Sequence, residues 1–158
     1  MITSPRYESM VDDCERSRES TRSSKKLNFI YVFGPPGSGK STFCRSAYDF
    51  YTKSLGRKAF IFNMDPGSSH LPLSDSGYDF MTIGEITNIT KCMLELKIGP
   101  NNAMVHCVEE LAKNLHIFIK KLHDLDENTF VLCDLPGQVE ICTHETSVSY
   151  IIQNIREA

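Results

Sequence analysis

Apolar residues are concentrated in short segments that alternate with longer, mixed ones. Three segments are apolar nearly throughout and predict buried strands: "LNFIYVF" (27–33), "KAFIFNMD" (58–65) and "TFVLCDLPG" (129–137). Helical segments separate them, and strands connected through helices pair in parallel. The pattern therefore predicts a small three-layer α/β/α fold with a mostly parallel sheet of three strands.

The segments between these strands have apolar residues at helical spacing. Helices are predicted over residues 41–55, with Gly56 as the stop, over 82–96 in one or two pieces, over 103–124, and over 143–156. Residues 66–81 are polar and rich in turn-forming residues, so this segment is predicted to be a loop that is long enough to be functional.

Length and composition are those of one globular domain. The chain has 158 residues, of which 41% are hydrophobic and 23% charged. The formal net charge is −3 and there is no long basic run, so we expect no direct contact with nucleic acid. No apolar segment approaches the ~20 residues of a membrane span. Residues 1–26 are polar and are predicted to be a disordered tail, which leaves 27–158 as the folded domain.

The cysteines have no metal-binding spacing. The six cysteines contain no CxxC pair, which favours free thiols in a reducing compartment. Cys107 and Cys133 lie among apolar neighbours and are predicted to be buried.

A phosphate-binding motif follows the first predicted strand. "GPPGSGKS" (34–41) fits the pattern GxxxxGK[ST] between a strand and a helix. Its glycines let backbone amides converge on phosphate, and the helix that follows adds its N-terminal dipole. Lys40 is predicted to bind the β- and γ-phosphates, Ser41 to bind Mg²⁺, and Thr42 to lie near the α-phosphate. The predicted nucleotide-binding residues are Gly34, Pro35, Pro36, Gly37, Ser38, Gly39, Lys40, Ser41 and Thr42.

Two acidic residues end predicted strands. Asp134 follows four apolar residues and precedes Pro136 and Gly137, and a buried acid there is costly unless a cation or donor meets it. We therefore predict that Asp134 and Ser41 hold Mg²⁺. Asp65 ends the second strand in the same way. The pattern leaves open whether it binds Mg²⁺, polarises the attacking water, or only opens a turn.

Gln138 and Glu140 come shortly after Asp134. A glutamine just after such a loop can orient a water molecule for in-line attack. The pattern alone does not separate this role from that of an ordinary loop residue.

Four motifs occur in a specific order: "GPPGSGKST" (34–42), "NMDPG" (63–67), "IGPNN" (98–102) and "DLPGQVE" (134–140). In this order and spacing the chain resembles the GPN-loop GTPases, from about Ile30 to Tyr150. The resemblance implies a P-loop NTPase fold, binding of GTP and Mg²⁺, and GTP hydrolysis. The sequence has no [NT]-K-x-D segment after residue 140, which in this family reads guanine. We therefore expect a domain truncated at the C-terminus, either because the chain is the N-terminal part of a longer protein or because the gene product is shortened.

The resemblance also implies residue roles. Gly99, Pro100 and Asn101 match the GPN loop, which this family inserts into the site of a partner subunit. Asp65 matches an acid near the catalytic water and Mg²⁺. The metal-side and water-side loop is matched by Asp134, Gln138 and Glu140. After the GPN this chain has Asn102 and Ala103, where the family commonly has glycine.

The expected biology is likewise taken from the resemblance. It implies a homodimer, or a heterodimer with another GPN-loop GTPase. It also implies a part in the assembly and nuclear import of RNA polymerase II, in the cytoplasm with possible shuttling to the nucleus.

Two other functions remain open at this level. A small-molecule kinase also fits "GPPGSGKST", but such kinases surround the phosphoryl group with arginines, and after the tail only Arg45, Arg57 and Arg156 are present. A shortened, non-catalytic dimerisation module is favoured by the missing guanine reader. The intact set of Lys40, Ser41, Asp65 and Asp134 argues against it.

Overall fold

The computed structural model describes residues 26–68, 78–138 and 146–157. The strands are β1 (Asn28–Val32), β2 (Ala59–Asn63), β3 (Phe80–Thr82) and β4 (Phe130–Asp134). The helices are α1 (Lys40–Asp49), α2 (Ile89–Leu96), α3 (Pro100–Lys113), α4 (Leu115–Asp124) and α5 (Thr146–Glu157). A π-helical turn, Phe50–Ser54, continues α1, and 3₁₀ turns lie at Pro66–Ser68 and Ile83–Glu85. The predictions for the tail and for Glu140 lie outside the described residues, except for Lys26.

The sheet has four strands in the order β1–β4–β2–β3, and every neighbouring pair is parallel. At its carboxyl edge Val32 pairs with Asp134, Asp134 with Asn63, and Asn63 with Thr82. Parallel strands bring all their carboxyl ends to one edge, where ligands bind in open α/β sheets. The predicted parallel sheet is confirmed.

Two separate hydrophobic cores cover the two faces of this sheet. Phe60 and Phe62 of β2 pack in one core with buried residues of α3, α4 and α5. Ala59 and Ile61 pack in the other with residues of α1. Alternate residues of a strand point to opposite faces, so the three-layer α/β/α prediction is confirmed.

The number of strands was predicted wrongly. β3 lies where a loop and the start of a helix were expected. It has three residues, too few for a readable alternation, and it forms by pairing with β2 from Ile61–Phe80 to Asn63–Thr82. β1 was expected to be buried, but all of its residues are only half-buried. Within the described residues β1 is an edge strand, with β4 on one side alone.

One helix prediction also needs correction. The helix expected over 103–124 is two helices, α3 and α4, with the break at Asn114. The Asn114 side chain donates to the backbone carbonyl of Glu110 at 2.9 Å and ends α3, although the apolar periodicity continues across the break. The stop at Gly56 is confirmed, with φ at +59°. Cys107 and Cys133 are buried as predicted. No helix in the described ranges is long and apolar enough to cross a membrane.

Candidate nucleotide-binding site

The glycine-rich loop joins β1 to α1 at the carboxyl edge of the sheet. Gly37 and Gly39 have φ values of +75° and +88°, which side chains with a Cβ rarely adopt. Ser38 N–H donates to the Pro35 carbonyl at 3.2 Å and closes a turn. Gly39 is the N-cap of α1 and has no side chain to cap the helix. The loop therefore leads directly into an open helix N-terminus, which favours anions.

Lys40 is the first residue of α1 and is only 7% exposed. Its Nζ donates to the Pro35 carbonyl at 3.3 Å. A Cβ added at Gly137 would lie 2.7 Å from this Nζ and 3.1 Å from the backbone of Pro36. The loop after β4 is therefore packed against the phosphate-binding loop. Its hydrogen bond goes to a neutral carbonyl oxygen, and a largely buried ammonium group favours a charged partner such as phosphate.

Asp134 is the last residue of β4 and is 2% exposed. The Ser41 hydroxyl in the first turn of α1 lies near its side chain, whereas its Oδ1 has no hydrogen-bond partner among the described residues. Burial raises the pKa of the Asp134 carboxyl and the charge of Asp65 adds to this, while the Ser41 hydroxyl, Lys40 and Arg45 act in the opposite direction.

This donor set fits a hard divalent cation. Mg²⁺ prefers oxygen ligands and binds through one or two carboxylates with other oxygens. Over the described ranges the buried Oδ1 of Asp134 has no donor, and the Ser41 hydroxyl lies near the same carboxyl. Outside this pair, the described residues contain no group of three or more His, Cys, Asp or Glu that could hold a metal ion.

Asp65 lies two residues past the end of β2 and is half-buried. Its Oδ1 accepts the Gly67 N–H at 2.8 Å, and its carbonyl accepts the Ser68 N–H at 3.1 Å. Its own N–H donates to Oδ1 of Asn63 at 3.0 Å. Asp65 therefore opens a turn, which was one of the three roles that the sequence pattern left open. The turn presents its carboxylate at the same edge of the sheet as Asp134.

The GPN segment forms the start of a helix. Gly99 is the N-cap of α3 and Pro100 occupies its first turn, where the missing N–H of proline costs nothing. Asn101 is exposed, and its Oδ1 accepts from Nε2 of Gln138 at 3.4 Å. The segment and the loop after β4 thus meet within a single chain, which the sequence did not predict.

The described site residues differ in burial. Lys40 and Asp134 are buried beneath the loop and Ser41 is half-buried, whereas Pro35, Pro36, Gly37, Ser38, Gly39 and Thr42 are exposed. Asp65, Gln138 and Asn101 border the same edge. Glu140 lies outside the described residues.

Two further residues were not predicted as part of the site. Gly137 was read only as a strand breaker, although it is buried against the phosphate-binding loop. Asn63 is a buried polar residue that ends an otherwise apolar strand. Because a buried amide needs partners, its position was a signal that the sequence offered.

The fold and this edge define the class of the protein. A strand, a glycine-rich loop and a helix that begins with a buried lysine, beside an acid at the end of the neighbouring parallel strand, form a P-loop nucleotide-binding domain. A family model described as "Conserved hypothetical ATP binding protein" matches residues 32–158. The chain belongs to this family, that of the GPN-loop GTPases, as the names of its relatives show.

Curated relatives carry that name in several organisms. The chain is 40% identical over 124 residues to GPN-loop GTPase 2 of Danio rerio. The matched segment covers 78% of this chain and 38% of that protein. It is 37% identical over 124 residues to the GPN-loop GTPase 2 homolog of Dictyostelium discoideum, with the same coverage. It is 34% identical over 128 residues to GPN-loop GTPase 3 of Candida glabrata, covering 80% and 45%. The chain therefore spans about two fifths of the length of these relatives.

Proposed function

We propose that the chain binds GTP together with Mg²⁺ and hydrolyses it. The observation that carries this proposal is the Asp134 carboxyl, which is buried beside Ser41 and whose Oδ1 has no hydrogen-bond partner within the described part of the chain. A buried carboxylate with an unpartnered oxygen is costly in a protein without a ligand. A cation that binds with the nucleotide removes that cost. The names of the relatives support guanine as the base.

In this proposal the phosphate-binding loop and the start of α1 hold the triphosphate. The loop amides and the dipole of α1 contact phosphate oxygens, and Lys40 neutralises charge on the β- and γ-phosphates. Ser41 and Asp134 hold Mg²⁺, directly or through water. When bound there, the ion would neutralise charge that develops on the β- and γ-phosphate oxygens.

Asp65 and Gln138 border the same edge of the sheet. Asp65 orients the attacking water and holds its proton, with Gln138 or Glu140 as a second contact. Asn101 supplies an uncharged amide near the γ-phosphate of the nucleotide in a partner subunit. The support for this part is the position of Asp65 at the carboxyl edge.

We also propose that the chain dimerises, with itself or with another GPN-loop GTPase, and that Asn101 acts on the partner's nucleotide. An exposed apolar surface next to the GPN segment supports this, since Leu94 and Leu96 of α2 are 74% and 48% exposed. A role in RNA polymerase II assembly and nuclear import, in the cytoplasm with shuttling to the nucleus, rests on the family resemblance alone.

Nucleotide binding tests the proposal first. Equilibrium binding of GTP and of ATP to the 158-residue chain would be measured with Mg²⁺, for the wild type, Lys40→Ala and Lys53→Ala. Lys53 is the matched control, because its side chain is 74% exposed and pairs with Asp49 at 2.8 Å. We expect the wild type and Lys53→Ala to bind GTP more tightly than ATP. Lys40→Ala should lose nucleotide binding. An ATP preference would contradict the guanine assignment and favour the kinase.

A mixing experiment tests whether the GPN segment acts between subunits. Lys40→Ala lacks nucleotide binding but keeps its GPN segment, and Asn101→Ala is the reverse. If the segment acts on the partner, mixing the two proteins restores turnover to a fraction of the wild-type rate. Turnover that stays at the sum of the separate rates would show that Asn101 acts only within its own chain.

A further inference from the structure

Asn63 is a buried amide at the centre of the carboxyl edge. It is the last residue of β2, it is 3% exposed, and the four residues before it in the strand are apolar. In the register of the sheet it lies between Asp134 of β4 and Thr82 of β3. A buried amide is retained at low cost only when hydrogen bonds replace those to water.

Both polar groups of the Asn63 side chain are hydrogen-bonded within the protein. Its Oδ1 accepts from the Asp65 N–H at 3.0 Å and from the Ser68 hydroxyl at 3.2 Å. Its Nδ2 donates to the Ser68 carbonyl at 3.3 Å and to the Thr82 hydroxyl at 3.5 Å. An asparagine side chain has two donor hydrogens and one oxygen with two lone pairs. Its capacity is therefore used, and none remains for a nucleotide or metal ion.

Three of these bonds end on one short turn. Asp65 and Ser68 are the first and last residues of that turn, and the Ser68 N–H also donates to the Asp65 carbonyl at 3.1 Å. Within the turn the Gly67 N–H donates to the Asp65 carboxylate. Asn63 thus fixes the backbone of Asp65, and Gly67 fixes its carboxylate relative to that backbone.

We propose that Asn63 is a positioning residue that holds the Asp65 carboxylate at the carboxyl edge, beside Asp134. The inference rests on the proposed function, because it is Asp65 that orients the attacking water there. A displacement of about 1 Å at a reacting group can cost about 10²-fold in rate. An amide that anchors the backbone of Asp65 from a rigid strand limits such displacement.

Amide hydrogen exchange tests the anchoring without nucleotide. In Asn63→Ala we expect exchange at the Asp65 amide to rise about 10-fold or more, with the β4 amides unchanged, since only the local turn loses its anchor. Asn154→Ala is the matched control. Asn154 is 5% exposed, and its Nδ2 donates to the Tyr150 carbonyl at 2.8 Å within α5, away from the turn. This control should leave exchange at Asp65 unchanged.

A milder variant covers the case in which Asn63→Ala does not fold. Ser68→Ala removes the hydroxyl that donates to Asn63 Oδ1 and leaves the core intact. We expect a rise of about 3-fold in exchange at the Asp65 amide, because one of the bonds to the turn is lost. Unchanged exchange at Asp65 in Asn63→Ala, or in Ser68→Ala if the first variant is unfolded, would overturn the inference.

The kinetic test is a double-mutant cycle. In Asn63→Ala we expect kcat for GTP to fall about 10- to 100-fold, with KM within about 2-fold, because the phosphate-binding loop is a separate element. In an Asp65→Asn background the same change should cost less than about 2-fold. Full additivity of the two losses would mean that Asn63 does not act through Asp65.

The two proposals fail in distinguishable ways. A wild-type chain that binds but does not hydrolyse GTP contradicts the proposed hydrolysis, and amide exchange at Asp65 then decides the anchoring. Normal turnover in Asp65→Asn contradicts the role of Asp65. A loss of turnover in Asp65→Asn together with normal turnover in Asn63→Ala overturns the positioning role alone.

Discussion

Two acidic residues follow apolar strands in the same way along the sequence, yet the structure gives them different surroundings. Asp134 is 2% exposed and its Oδ1 has no partner among the described residues. Asp65 is half-buried, and the Gly67 N–H occupies its Oδ1 at 2.8 Å. One carboxyl is thus buried and incompletely bonded, and the other is accessible and bonded by its own turn.

The register of the sheet explains the difference. Asp134 belongs to its strand and pairs with Asn63, whereas Asp65 comes two residues later, after the chain has left the sheet. Two carboxylates at the same level of neighbouring buried strands would repel each other. An amide at that level avoids the repulsion and anchors the turn that carries the second acid. The difference suits a metal ligand in one position and a water-orienting group in the other.

The largest expected effect in this comparison comes from Asp134→Asn. The amide keeps the shape of the carboxyl but removes the charge that would hold Mg²⁺. We expect GTP hydrolysis in Mg²⁺ to fall about 10³-fold, which corresponds to about 4 kcal/mol of lost transition-state stabilisation. Single-turnover hydrolysis measures this. Asp65→Asn, the matched change at the accessible acid, should lose less, about 10- to 100-fold. Equal losses would mean that the two acids share one role.

The glycines that follow the two acids extend the comparison. A Cβ at Gly137 would lie 2.7 Å from Lys40 Nζ and 3.1 Å from the backbone of Pro36, whereas a Cβ at the exposed Gly67 would come no closer than 3.2 Å, to Asp65 Oδ1. We expect Gly137→Ala to weaken GTP binding about 10- to 100-fold, since overpacking costs about 1–3 kcal/mol. Gly67→Ala should change the affinity less than about 3-fold, because the side-chain oxygen can move.

Equilibrium titration with a fluorescent GTP analogue measures both glycine variants under the same conditions. Equal affinity for the two would show that the phosphate-binding loop accommodates a methyl group at residue 137. Close packing of the loop after β4 would then play no part in binding.

Sequence patterns predicted the features that depend on neighbouring residues. The glycine-rich loop and the lysine at the start of α1 were predicted from a short motif. Asp134 at the end of β4 was predicted from a short apolar segment. The parallel sheet followed from apolar strands separated by helices. Each of these inferences needs only short segments and their order along the chain.

The features that were missed depend on pairing between distant segments. β3 is three residues long and is a strand because β2 lies beside it. The packing of Gly137 against Pro36 joins residues about a hundred positions apart in the chain. Asn63 opposite Asp134 follows from the register of β2 and β4, which local patterns do not set.

A smaller effect is expected at the rim of the site, in Asn101→Ala. Asn101 is exposed and bonds Gln138 at 3.4 Å, so its loss removes one polar contact and leaves Lys40 and Asp134 intact. We expect turnover to fall about 10-fold while GTP affinity stays within about 2-fold. The neighbouring Asn102 is also exposed, and Asn102→Ala is the matched control. Turnover at the wild-type rate in Asn101→Ala would remove this residue from the catalytic set.

The smallest expected effect is on the stability of the metal-free protein. Burial raises the folded-state pKa of Asp134 above its ordinary value of 3.8. At a pH between this ordinary pKa, which applies to the unfolded chain, and the higher folded-state pKa, the folded chain binds more protons than the unfolded chain. Stability from this group is therefore present below about pH 3.8 and is lost as pH rises through the folded-state pKa. In EDTA, we expect the Tm of the wild type to fall relative to that of Asp134→Asn as pH rises from 4 towards 7, by about 2–4 °C for each kcal/mol lost.

Mg²⁺ reverses the sign of this difference if Asp134 is its ligand. The ion binds the carboxylate form, so with nucleotide and Mg²⁺ at pH 7 the wild type should gain Tm that Asp134→Asn does not. Thermal unfolding of both proteins, with and without EDTA, measures the two differences in one series. Parallel pH profiles in EDTA would show that the buried carboxyl costs nothing in the free protein, and the argument for a cation at Asp134 would lose its physical basis.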